Sequence, residues 1–85
     1  MARATVRYWA AAKEAAGLAE EPYEADTLGD LVAQITSKHG NPHLTRVLGL
    51  SSFLIDGAPA GTRDPHGIEL PERATIEVLP PFAGG

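Results

Sequence analysis

The strongest constraint on how this chain can fold is one apolar stripe near its middle. Leu28, Leu31, Val32 and Ile35 recur at i, i+3, i+4 and i+7, the spacing that gathers side chains on one face of an α-helix. Thr27 stands where its hydroxyl can cap the first turn, and Asp30 follows three residues later in a capping-box-like position. Lys38 and His39 fall at the other end, where positive charge suits the helix dipole, and Gly40 stops the helix. A helix with a single apolar face has to be covered by something else in the chain.

The two ends of the sequence supply that cover. ATVRYWA alternates, with Ala4, Val6 and Tyr8 on one side and Thr5, Arg7 and Trp9 on the other. TIEVLP alternates as well, with Ile76 and Val78 inward and Thr75, Glu77 and Leu79 outward. Between them lie a short alanine-rich helix, AAAKEAA, capped by Gly17, and a short strand in EPYEA. A second short helix starts at Asn41 and Pro42, buries Leu44, Val47 and Leu48, and is closed by Gly49. SFLIDG is a further strand leading into a turn at Asp56 and Gly57, and GTRDPHG is a loop. The order predicts an α+β domain, a mixed sheet packed on one main helix with extra short helices. Val6, Tyr8, Leu31, Ile35, Ile55, Ile76 and Val78 are its expected core.

With 85 residues there is room for one domain, and a chain of this size buries roughly 60–65% of its unfolded surface. A formal net charge of −4 disfavours nucleic acid or an anionic membrane as the main partner, since both are held through clustered basic residues. It suits docking to a protein with a basic surface. The absence of cysteine excludes disulfides, thiolate metal sites and chemistry on the chain's own thiol. No apolar run approaches membrane-spanning length, and Lys13 and Glu14 interrupt the only stretch resembling a signal segment, so a cytoplasmic location is expected.

Other candidates carry less. His39 and His43 are four apart, but Gly40 to Pro42 breaks the helix that would align them, so no metal site is expected and His39 reads as a helix-end cation. Glu20, Glu21, Glu24 and Asp26 read as a solvated strand and loop, compatible with steering toward basic partners. Asp64 and His66 read as a turn, with no nucleophile arranged beside them. Trp9 is open between an interface anchor and a cap on the core beside the first helix.

The sequence closes on LPPFAGG. Pro80 and Pro81 have no amide hydrogen, so sheet pairing should stop there, and their fixed φ stiffens the exit from the strand. Phe82 adds an apolar grip, whereas Ala83, Gly84 and Gly85 carry almost no side chain. The six residues from Pro80 can extend about 20 Å at roughly 3.3 Å each, a probe thin enough for a tunnel in another protein. The expected division is a domain over residues 1–79 and a flexible Gly-Gly tail over 80–85 whose working group is the α-carboxylate of Gly85.

VLPPFAGG resembles the ending of the small subunits of molybdopterin synthase, a family of β-grasp, ubiquitin-like sulfur carriers. VRYWAAAKEAAG and DTLGDLVAQI are similar to that family's N-terminal unit and central helix, so the resemblance spans essentially the whole chain. The helix from Pro42 to Leu48 resembles this subfamily more than the compact carrier of thiamine biosynthesis. One departure is Pro71, Glu72, Arg73 and Ala74, where the family usually turns on Gly-Asp.

The resemblance implies a β-grasp fold and a non-catalytic, sulfur-carrying subunit of a transferase. It binds no cofactor of its own. A ubiquitin-activating-like enzyme, using ATP and magnesium, adenylates Gly85. A sulfur donor then converts the adenylate to a thiocarboxylate. The large synthase subunit takes up the tail, with Gly84 and Ala83 inserted, and sulfur passes to a pterin precursor of the molybdenum cofactor. Leu79, Pro80, Pro81 and Phe82 are the implied partner contacts. Carriers for thiamine, cysteine or transfer-RNA thiolation, and a protein modifier forming isopeptide bonds through Gly85, are the competing expectations. Along the chain the nearest basic residue to the terminus is Arg73, so cations for the developing charges are expected from the partner.

Overall fold

A computed structural model describes residues 1–81. Its elements, in chain order, are β1 (Ala2–Tyr8), α1 (Ala10–Ala16), β2 (Glu20–Ala25), α2 (Leu28–His39), α3 (Pro42–Leu50), β3 (Ser52–Ile55), β4 (Ala58–Pro59) and β5 (Ala74–Leu79), with a 3-10 turn at Pro65–Gly67 before the last strand. The sheet order is β2-β1-β5-β3-β4. The terminal strands β1 and β5 lie side by side and parallel, from Ala4↔Ala74 to Tyr8↔Val78. β2 and β3 flank them antiparallel. A mixed sheet with parallel terminal strands clasping one main helix is the β-grasp, ubiquitin-like fold.

Local chemistry accounts for most boundaries. Thr27 Oγ1 accepts from the Asp30 amide at 3.1 Å and starts α2, and Gly40, with φ 57°, ends it. Asn41 Oδ1 accepts from the amides of His43 and Leu44, and Pro42 at the first helical position starts α3 at once. Asp56 and Gly57, with φ of 50° and 83°, form the two-residue turn between Ile55 and Ala58, the mirror-image geometry that matches strand twist.

Two expectations are corrected. Gly49 does not close α3: the helix runs to Leu50 and Ser51 caps it, its Oγ donating to the Val47 carbonyl at 2.7 Å. A glycine stops a helix only where it takes up positive φ, and Gly49 does not. The first strand ends at Tyr8, and Trp9 with Ala10 (φ 48°) turns the chain straight into α1. The segment lacking Gly-Asp still makes the tight turn, because Arg73 itself adopts φ 62°.

The core lies between one face of the sheet and the helices. Val6, Leu31, Ile35, Leu44, Ile76 and Val78 are fully buried, and Ile55 and Val32 pack against them half-exposed. At about 1.5–3 kcal/mol for each large aliphatic side chain removed from water, these residues supply most of the drive to fold. Among the described residues the opposite face of the sheet carries no helix, and Arg7, Thr5, Glu77 and Leu79 point to it.

Candidate functional site

The candidate site is the place where the chain leaves the sheet. β5 is the middle strand of five, hydrogen-bonded to β1 on one side and β3 on the other. A segment leaving it is anchored on both flanks. Pairing ends at Ser52↔Leu79, one residue before Pro80, as the missing proline amide requires. Leu79 and Pro80 are half-buried and Pro81 is exposed. Phe82, Ala83, Gly84 and Gly85, the remaining tail residues singled out by the sequence, lie outside the described residues.

Because β1 runs parallel to β5, its end and the start of α1 stand beside the exit. The Trp9 amide donates to the Val78 carbonyl at 3.3 Å, continuing the ladder one step beyond β1. Trp9 is 41% exposed and does not cap the core. Its indole Nε1–H donates to Glu77 Oε1 at 3.2 Å, and the Arg7 guanidinium sits 5.1 Å from its ring centroid. Held from both sides, the indole gives the open sheet face a preorganised apolar platform next to Leu79.

On the other side of the exit, Pro81 lines an open groove with Ala10, Lys13, Glu14 and Leu18. Arg73 is the nearest basic residue to the terminus along the chain, but in space Lys13 is the basic residue beside Pro81. Arg73 precedes β5 and is a strand length away, whereas Lys13 faces the groove that Pro81 enters and Arg7 pairs with Glu77 in the sheet. Sixty-eight positions separate Lys13 from Pro81 in the sequence, and only the parallel pairing of the terminal strands brings them together.

The acidic run also differs from its expectation. Glu20 and Glu24 are solvated, but Glu21 is 6% exposed. Its Oε2 accepts from the hydroxyls of Tyr8 at 2.5 Å and Tyr23 at 2.8 Å, and His39 Nε2 lies 2.6 Å away. Lys38 Nζ reaches Oε1 at 3.1 Å. Burial by itself would raise the Glu21 carboxyl, but the hydrogen bonds from Tyr8, His39, Tyr23 and Lys38 together hold it down at about 2. His39, the last residue of α2, is therefore a hydrogen-bond partner of Glu21. The available signal was the alternation of EEPYEA, which puts Glu21 on the same side as Tyr23 and Ala25. Asp64 and His66 form the expected turn, with the His66 amide donating to Asp64 Oδ1 at 3.0 Å.

The ThiS family model matches residues 6–85, from within the first strand through both terminal glycines. The chain belongs to the ThiS family. This is a ubiquitin-like, sulfur-carrier family, and solved structures of modest identity share the fold. The small archaeal modifier protein 1 from Methanosarcina acetivorans is 30% identical over 100% of this chain and 98% of that one, with a TM-score of 0.79. A putative molybdopterin converting factor subunit 1 from Pyrococcus furiosus is 20% identical, covering 96% of this chain and 100% of that one, with a TM-score of 0.75. A chain from a complex of subunits 1 and 2 of the molybdopterin-converting factor of Helicobacter pylori 26695 is 22% identical over 98% of this chain and 99% of that one (TM-score 0.71). Comparison with curated protein sequences gives no match. Among the described residues of this ThiS-family chain, no helix is long and apolar enough to cross a membrane.

Proposed function

We propose that this ThiS-family protein carries sulfur on the carboxyl of Gly85 as the small subunit of molybdopterin synthase. The observation that carries the reading is the central strand β5, which gives out at Pro80 and Pro81 a few residues before a Gly-Gly that the family match includes. A bare carboxylate is a poor acyl donor. A ubiquitin-activating-like enzyme, with ATP and magnesium, makes the acyl-adenylate of Gly85. A sulfur donor displaces AMP and leaves the thiocarboxylate. The large subunit then receives the tail, with Leu79, Pro80, Pro81 and Phe82 at its mouth and Ala83 and Gly84 inside, and sulfur passes to the pterin precursor. This chain supplies no acid or base to the chemistry; its contribution is to hold a narrow acyl group at fixed reach from a rigid sheet.

Incubating the protein with its adenylating enzyme, ATP and a sulfur source, followed by intact-mass measurement, tests this: oxygen is replaced by sulfur at the terminus. An unchanged mass despite turnover of ATP overturns it. A second reading, protein modification through an isopeptide bond from Gly85, is favoured by the 30% identity to an archaeal modifier over the full chain. Lysine-linked adducts of the protein in cells, in place of thiocarboxylate, select it.

A further inference from the structure

At the opposite end of the sheet from the exit, the starts of β1 and β5 bring two arginines together. Arg3 precedes Ala4 and Arg73 precedes Ala74, and those alanines are partners in the parallel ladder. Both arginines line an open groove of about 920 Å³, a size within the range of roughly 300–1,000 Å³ that holds small ligands. Lys38 lines it too, and Glu24 is its one carboxylate among the described residues. Three of the seven Lys and Arg side chains thus converge on one groove of a chain whose net charge is −4. Ala4, Pro22 and Tyr23 give the groove an apolar wall.

The two arginines are held differently. The Arg3 amide and Nε both donate to Glu72 Oε1, at 3.0 and 3.3 Å, which fixes the guanidinium and leaves its terminal nitrogens without a carboxylate among the described residues. Arg73 makes no ion pair among the described residues. Its backbone sits at φ 62°, where glycine is at ease and an arginine is strained. Strain of this kind gathers at ligand sites, where the side chain has a use that offsets it.

We propose that this groove binds a phosphate monoester of a small organic molecule, with its phosphoryl oxygens on Arg3 and Arg73 and its organic body along Pro22 and Tyr23. A guanidinium presents a planar fork of donors to two oxygens. One fork satisfies a carboxylate, whereas a phosphate monoester offers three terminal oxygens and up to about two charges, enough for two forks at once. Lys38 adds a point charge on the side of Tyr23, its Nζ being 5.2 Å from that ring's centroid. Glu72 is a positioning residue that acts through Arg3. The groove is a strand length from Leu79, so its occupant and a protein gripping the exit can be bound together. Binding here is independent of what Gly85 carries.

The isotope-labelled full chain is titrated at constant ionic strength with phenyl phosphate, inorganic phosphate and benzoate, and its amide shifts are followed by NMR. Phenyl phosphate should give saturable shifts at Arg3, Ala4, Tyr23 and Arg73 and bind more tightly than either other probe. Arg3→Gln and Arg73→Gln should each weaken it by about tenfold or more, the loss of a charge-assisted contact. Arg46→Gln, at an exposed arginine of α3 outside the groove, should leave it unchanged. Arg73→Gly should weaken it as Arg73→Gln does without lowering the thermal midpoint, which separates lost contacts from lost folding. Shifts that do not saturate or that fall elsewhere, or undiminished binding by both Arg73 variants, would overturn the proposal. Benzoate or inorganic phosphate binding as tightly as phenyl phosphate would overturn the assignment to a phosphate ester.

Discussion

Tyr8 donates its hydroxyl to Glu21 Oε2 at 2.5 Å, joining a central strand to an edge strand through a carboxylate buried against the end of α2. The same oxygen serves Tyr23 and His39, so one side chain on β2 ties together β1, β2 and α2. Buried charge is tolerated here because both carboxylate oxygens have donors.

Glu21→Ala should accordingly lower stability by about 2–4 kcal/mol in urea unfolding, since it leaves two buried phenols without their acceptor. Glu21→Gln keeps an acceptor and should lose less. Equal stability of wild type and Glu21→Ala would contradict the network.

The pH dependence has a defined sign at both ends. The folded Glu21 carboxyl is held at about 2, below its ordinary 4.5, so its contribution is complete above about 4.5 and is lost as pH falls toward 2. The loss amounts to roughly 3 kcal/mol. Burial, then the hydrogen bond to Glu21, pushes the Tyr23 hydroxyl up to about 12, and burial pushes Tyr8 up as well. The Tyr23 contribution is complete below pH 10 and is lost as pH rises through 12, and that of Tyr8 falls in the same direction. Urea midpoints measured from pH 2 to 12 should fall at both ends, and Glu21→Gln should flatten the acid limb.

Arg73→Gly should stabilise the protein by about 0.5–1 kcal/mol. Arg73 holds φ 62°, which costs a side-chain-bearing residue about 1–2 kcal/mol and glycine almost nothing, while glycine's freer unfolded chain offsets part of the gain. A lower thermal midpoint for the variant would show that the arginine side chain contributes more than its backbone costs.

At the exit, the proposed function predicts that deleting Gly85 abolishes thiocarboxylation and leaves the thermal midpoint unchanged, the core formed by the described residues being left whole. Trp9→Ala should also leave folding nearly intact, its ring being 41% exposed, yet weaken binding to the adenylating enzyme that the proposed function requires by roughly 2 kcal/mol, the scale of an aromatic anchor. Titration calorimetry against that enzyme separates the two effects, and unaltered binding would remove Trp9 from the interface.

The helices, and the side to which each strand's residues point, are legible in the amino-acid order alone. Thr27, Gly17, Gly40 and the Asn41-Pro42 pair act within a few residues of themselves, so their consequences follow from spacing. Which distant groups meet is a property of the folded chain. Glu21 reads as one acid in a solvated run until Tyr8 and His39 arrive from two other elements, and Lys13 reads as remote from Pro81 until β1 lies parallel to β5. The same holds for Arg73, whose left-handed backbone is imposed by pairings on either side of its turn and not by its own preference. Local rules reach one helical turn or one step of a strand. The charge of a buried group, and the neighbours of a chain's last strand, depend on contacts that cross the whole fold.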